Sequence, residues 1–428
     1  MAPHQTPAEA ASRSGLAHAV VRMTGRDPKE EGRVSTPLEL LFDLTFVVAV
    51  GTAADKFAEL LSEGHVGGAL LGFGLAMFAI SVAWINFTWF ASAFDTDDWV
   101  YRIFTMGQMI GVVVFALGLP SMFHSIEQGG HLDMRAIVLG YVVMRVAMSG
   151  QWWRAARQSP AYRTVCMANI RWVLLLQIGW VVLALLHIGL VTAFIGAVVL
   201  GALELLLPVF AQGHADGTPW HPHHIAERYG LFAIITLGEG VVGTIASSQG
   251  LLGGDNGTHW TWNAVAVVVC GVGLTFGMWW VYFATPFGEL LELRPRRGYL
   301  FGYGHILVFV AIAATGAGLH VAGLYLEHES ALHRVAVVLS IAIPVGGFLL
   351  LVYGLHTLLF SYADKVHVLL IALTGAVLAL AVVLAAAGVP TAVCLLVITV
   401  APFVSVVGAE TVGHNHQKVM FAALEGND

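Results

Sequence analysis

About a dozen apolar stretches follow one another from Leu38 to about Val412. Each is roughly 20 residues long, and at ~1.5 Å per residue a helix of that length crosses the ~30 Å hydrocarbon core of a bilayer. The pattern predicts an all-α, polytopic membrane bundle of about 12 helices. Composition agrees: the chain is 57% hydrophobic and 11% charged, with a mean hydropathy of +0.78. A soluble domain carries about 25% charged residues, so a water-soluble fold is excluded. The net charge of −7 is thinly spread and no basic face is present, which argues against nucleic acid as a partner. Cys166, Cys270 and Cys394 are far apart in apolar runs and fit neither a disulfide framework nor a metal site.

The spans read as 38–61, 67–93, 101–122, 134–153, 169–187, 189–211, 225–248, 262–286, 299–323, 333–358, 365–388 and 391–412. An even number of crossings puts both termini on one side. With that side inside, the inner segments hold Arg13, Arg22, Arg26, Lys29, Arg33, Arg102, Arg154, Arg157, Arg163, Arg171, Arg228, Arg294, Arg296, Arg297, Lys365 and Lys418. Only Lys56, Arg135 and Arg334 fall near the outer side. This is the asymmetry of the positive-inside rule, and it predicts a multi-pass membrane protein with cytoplasmic termini. Residues 1–35 read as a disordered cytoplasmic tail, 36–212 and 213–412 as two six-helix halves, and 413–428 as a cytoplasmic C-terminal tail. Asn256-Gly257-Thr258 is formally a glycosylation acceptor and is taken as chance.

A faint internal repeat supports the two halves. Trp84-Ile85-Asn86-Phe87-Thr88-Trp89-Phe90-Ala91 is echoed by Trp279-Trp280-Val281-Tyr282-Phe283-Ala284, and Glu39-Leu40-Leu41-Phe42-Asp43 by Glu227-Arg228-Tyr229-Gly230-Leu231-Phe232. Such repeats are typical of transporters, with the site between the halves.

Charge inside apolar spans carries the functional signal, because an ionised side chain at bilayer depth costs roughly 2.5–3.5 kcal/mol even on lenient scales. Glu39 and Asp43 share one helix face at the start of span 1. They suit proton or cation binding, or form an interfacial acidic pair favoured by the helix dipole. Arg145 cannot shed its charge and needs an acid, for which Asp43, Glu204 and Glu239 are available. Glu239, flanked by Gly238 and Gly240, is the leading candidate for a proton- or cation-binding acid.

The loop before span 7 reads His221-Pro222-His223-His224-Ile225-Ala226-Glu227-Arg228. Its histidines are weak metal candidates, since their spacing matches no standard site. No metal and no cofactor are expected. His305, His320 and His356 sit in or near spans 9 and 10 and read either as hydrogen-bonded core histidines or as proton carriers. On the inner side, Asp95, Asp97 and Asp98 precede Arg102; they cap span 3, pair with Arg102 or hold a cation. No glycine loop before Lys-Ser/Thr, paired-cysteine motif or Gly-x-Ser-x-Gly elbow occurs, so the chain is not expected to be an enzyme.

Three segments together resemble the bacterial low temperature requirement A (LtrA) family: Thr36-Pro37-Leu38-Glu39-Leu40-Leu41-Phe42-Asp43-Leu44-Thr45-Phe46-Val47, Phe94-Asp95-Thr96-Asp97-Asp98-Trp99-Val100-Tyr101-Arg102, and His224-Ile225-Ala226-Glu227-Arg228-Tyr229-Gly230-Leu231-Phe232 with Leu237-Gly238-Glu239. They occur in family order, and the resemblance covers residue 35 to about 410. It implies a bacterial integral membrane protein linked by its family name to growth in the cold, and it marks Glu39, Asp43, Asp95, Asp98, Arg102, Glu227, Arg228 and Glu239 as the positions to test. The function expected is a proton- or cation-coupled secondary transporter of a small solute, embedded in membrane lipid. The alternatives are a structural or signalling protein whose buried charges lock helices, and a membrane enzyme.

Overall fold

The computed structural model describes residues 20–208, 217–252, 260–360 and 365–413. Residues 1–19 and 414–428, most of the two predicted tails, lie outside them, as do the expected boundary between halves at 212/213 and the Asn256-Gly257-Thr258 triplet.

The described chain is helical: α1 (Pro37–Ser62), α2 (Val66–Phe94), α3 (Trp99–Gln128), α4 (Arg135–Gln158), α5 (Arg163–Leu185), α6 (Leu190–Leu205), α7 (Pro222–Leu252), α8 (Trp262–Phe283), α9 (Phe287–Leu293), α10 (Gly298–Leu326), α11 (Arg334–Phe360), α12 (Lys365–Ala386) and α13 (Thr391–Gly408). Among the described residues, 10 helices are long and apolar enough to cross a membrane. Twelve of the thirteen helices have 16 residues or more, in line with the expected bundle of about 12, and α4 and α6 are the two of them outside the ten. Helix α4 forms, carries Arg135, Arg145, Arg154 and Arg157, and is not among the ten. Helix α6 is apolar but has 16 residues, enough for ~24 Å of rise against a ~30 Å core.

The chain divides into two compact units, and α1, α2 and α3 each contribute a segment to both. The first unit comprises Met1–Thr45, Ala83–Gly118 and Leu132–His221. Its core is aromatic: Phe42 stacks on Phe87 with ring centroids 3.7 Å apart, and Phe90 meets Trp152 edge-on at 4.7 Å. Helices α3 and α4 cross where neither carries a side chain, because a Cβ on Gly140 would lie 2.5 Å from the Gly111 carbonyl oxygen. Residues 20–35, expected to be disordered, are tied to this unit. Arg26 N–H donates to the Ala93 carbonyl (2.9 Å), Met23 N–H donates to Gln158 (2.7 Å), and Met23 is fully buried.

The second unit comprises Phe46–Val82, Leu119–His131 and Pro222–Asp428. Helix α10 is its most buried span. The small-residue run Ala313-Ala314-Thr315-Gly316-Ala317-Gly318 lets neighbouring backbones approach α10 closely, as helix packing in lipid requires. Ser247 on α7 donates its hydroxyl across this contact to the Leu319 carbonyl (2.8 Å).

Candidate functional site

The acids at the start of α1 and α3 are built into helix starts. Thr36 and Glu39 form a reciprocal capping box: Thr36 N–H donates to the Glu39 carboxylate (2.7 Å) and Glu39 N–H donates to the Thr36 hydroxyl (3.3 Å). One turn further on, Trp84 Nε1–H donates to Asp43 Oδ1 (2.7 Å), and both side chains are fully buried. Asp98 accepts from Tyr101 N–H (2.9 Å) and from Val21 N–H (2.9 Å), and Arg154 grips it with two nitrogens, Nη1 at 2.8 Å from Oδ1. Asp97, in a left-handed turn at φ 46°, pairs with Arg102 at 2.9 Å. Asp95 is buried and accepts from Asp97 N–H (2.8 Å). Burial pushes its carboxyl up to about 7, and the negative field of Glu39 adds to this against the opposing Asp97 hydrogen bond and the Arg33 and Arg26 charges.

Of the three acids available to it, Arg145 takes Glu204. Its Nη2 lies 2.9 Å from Glu204 Oε2, the Tyr141 hydroxyl bonds to both partners, and Trp180 Nε1–H donates to Glu204 Oε1 (2.9 Å). Helices α4, α5 and α6 thus share one dry, neutralised cluster. A buried charge paired and hydrogen-bonded on this scale fixes helices together.

Glu239 is placed differently. It lies midway along α7, 4% exposed, where two glycines from other helices face it. A Cβ on Gly51 of α1 would sit 3.2 Å from its Oε1, and one on Gly316 of α10 would meet its backbone. Among the described residues no Lys or Arg pairs with it; the charge whose field reaches it is that of another acid, Asp55. Asp55 stands one turn beyond Gly51 and lies 3.7 Å from His320, one turn beyond Gly316. The side chains of Asp55 and His320 are 60% and 26% exposed. Sequence reasoning singled out Glu239 and His320 but missed Asp55 and Gly51, because nothing local ties α1 to α7.

The remaining predicted positions are not brought to one place. His305 is saturated: Nδ1–H donates to the Phe301 carbonyl (2.8 Å), and Nε2 accepts from the Tyr282 hydroxyl (3.0 Å) within a cage of Tyr229, Phe287 and Phe309. It is a core histidine. Of the three histidines expected in a loop, His221 precedes α7 and bonds to the Glu30 carbonyl (3.0 Å), whereas His223 and His224 lie in the first turn of α7, where His223 bonds to Glu292 (2.9 Å) and His224 is fully buried. Arg228 is fully buried and Glu227 half-buried, and both are engaged. Among the described residues the donor atoms that converge as a metal site would require are those of Glu63, His65 and Glu127, within 4.8 Å of one another and exposed. Glu63 and Glu127 are too distant in sequence for spacing to have revealed this group.

Comparison with known proteins gives a family. The family model described as bacterial low temperature requirement A protein (LtrA) matches residues 34–402. An uncharacterized protein of Rhizobium meliloti (strain 1021) is 26% identical over 311 residues, covering 68% of this chain and 70% of the relative. No solved structure matches the chain.

Proposed function

The chain belongs to the bacterial low temperature requirement A family, and from that premise we propose that it is a secondary transporter of a small solute in the bacterial inner membrane, coupled to protons or cations through Glu239. The reading rests on one observation: Glu239 is buried on a helix long and apolar enough to span a membrane, among the described residues no Lys or Arg pairs with it, and its carboxyl faces the glycine Gly51 of α1. An uncompensated carboxylate at bilayer depth is expensive, so in the resting protein it carries a proton or a bound cation. Reversible loss of that ligand is what coupling requires.

Asp55 and His320 supply a way out. They lie one helical turn from the glycines that face Glu239 and are more exposed than it is. With the amino terminus inside, as the distribution of Lys and Arg favours, this end of α1 faces outward. The relay would then connect Glu239 to the external solution. The Arg145–Glu204 pair is a poor carrier by comparison, because each charge is already neutralised by the other.

A structural role is the second reading, and that same locked pair favours it. The two are separated in proteoliposomes carrying an internal pH dye, with an imposed pH gradient and a panel of amino acids, sugars, polyamines and metal cations added singly outside. Transport predicts solute-dependent proton movement in the wild type and none in Glu239→Gln, with the fold retained in detergent. Solute-dependent flux of wild-type size in Glu239→Gln, or none for any solute in the wild type, overturns the reading. The mechanism involves no covalent chemistry, and the chain is read as a non-enzyme.

A further inference from the structure

We infer that the groove bounded by α1, α2, α10 and α11 holds one acyl chain of a bilayer phospholipid. The cavity measures about 520 Å³ and lies within the second unit; Phe57, Leu70, Phe73, Leu307, Ile343 and Gly347 are among its walls. Its one side-chain hydroxyl, that of Ser340, is spent on the Val337 carbonyl (2.7 Å). Pro344 has no N–H to return to the Ser340 carbonyl. That carbonyl instead lies against α10, where a Cβ on Gly318 would be 2.4 Å away. The walls therefore offer nothing to a sugar, an amino acid or an ion.

Shape selects among apolar occupants. The lining residues of α11 run from Ala336 to Leu351, ~22 Å of helix rise. A volume of 520 Å³ spread over that length leaves a cross-section on the order of 25 Å². A helix is ~10–12 Å across, roughly 80 Å² or more, so a span from a second copy does not fit. A single hydrocarbon chain does. Leu70, Leu307 and Ile343 are exposed along helices long and apolar enough to cross a membrane, so the groove opens sideways to the medium that supplies such chains. At one end the turns after α1 and before α11 are stitched together, Ala331 N–H donating to the Ser62 carbonyl (2.8 Å) and the Ser330 hydroxyl to the same oxygen (3.1 Å). The occupant therefore enters from the side.

Gly347 makes the inference testable, because a Cβ there meets nothing within 4 Å and a larger side chain grows into the groove. The full-length protein is reconstituted in phosphatidylethanolamine–phosphatidylglycerol vesicles doped with a phosphatidylglycerol bearing a photoreactive diazirine on its acyl chain. After illumination, adducts are mapped by peptide mass spectrometry. Adducts are expected to concentrate on the groove residues Leu307 and Ile343 and to fall several-fold in Gly347→Phe, and likewise in Ala336→Leu, which fills the other end should the first variant fail to fold. Labelling of the exposed Leu175 and Ile178 on α5 stays unchanged and serves as the reference. Equal labelling of groove and reference, unchanged labelling in the filled variants, or a cross-link from another copy of the chain at the groove overturns the inference. None of these outcomes bears on flux through Glu239, so the two proposals fail separately.

Discussion

Gly316 lies directly against the backbone of Glu239: a methyl group on it would come within 2.6 Å of the Glu239 carbonyl carbon and 2.7 Å of its oxygen. Gly316→Ala must push α10 from α7, and overpacking of this kind costs about 1–3 kcal/mol. Thermal unfolding in detergent measures it. Gly51→Ala brings a methyl to 3.2 Å from the carboxylate and not against backbone. It is expected to leave the melting temperature nearly unchanged while lowering flux. Equal melting losses in both variants would remove the distinction.

Asp55→Asn and His320→Gln are expected to slow flux without abolishing it, and to displace its dependence on external pH. Both groups lie one helical turn from the glycines that face Glu239 and are themselves partly exposed, so solvent substitutes in part for either one. Flux measured against external pH checks this; wild-type profiles in both variants would place the outward path elsewhere.

Removing one partner of the Arg145–Glu204 pair strands the other charge in a dry site. Arg145→Met or Glu204→Leu alone is expected to destabilise by about 3–5 kcal/mol, and the double variant to recover most of it. Detergent melting temperatures of the four proteins give the cycle. The double variant also keeps flux if the pair is purely structural.

Asp95 makes a pH prediction. Its folded carboxyl is raised to about 7, whereas the unfolded one titrates near ~3.9. A raised acid contributes fully below its unfolded value and loses that contribution as pH climbs through the folded one. Stability therefore falls between about pH 4 and 7. Asp95→Asn, which still accepts from Asp97 N–H but carries no charge, is expected to raise the melting temperature above pH 7 and to change little at pH 4. The linkage sets an upper bound of about 4 kcal/mol. Melting curves at the two pH values decide it.

The sequence by itself determined the solvent and the secondary structure. Apolar runs of about membrane length leave helices as the economical way to satisfy buried backbone groups, and local grammar such as Thr36-Pro37-Leu38-Glu39 starts a helix within four residues. It also located the charges worth following, Arg145 and Glu239 among them. Which charge is neutralised was decided only in three dimensions. Arg145 finds Glu204 across 59 residues, Asp43 finds Trp84 across 41, and Glu239 meets two glycines and, among the described residues, no Lys or Arg. A soluble helix announces its buried face through polar periodicity, but in lipid both faces are apolar, so the rotation of each helix is unwritten in its pattern. Packing of small residues fixes that rotation, and with it which buried carboxyl is locked in an ion pair.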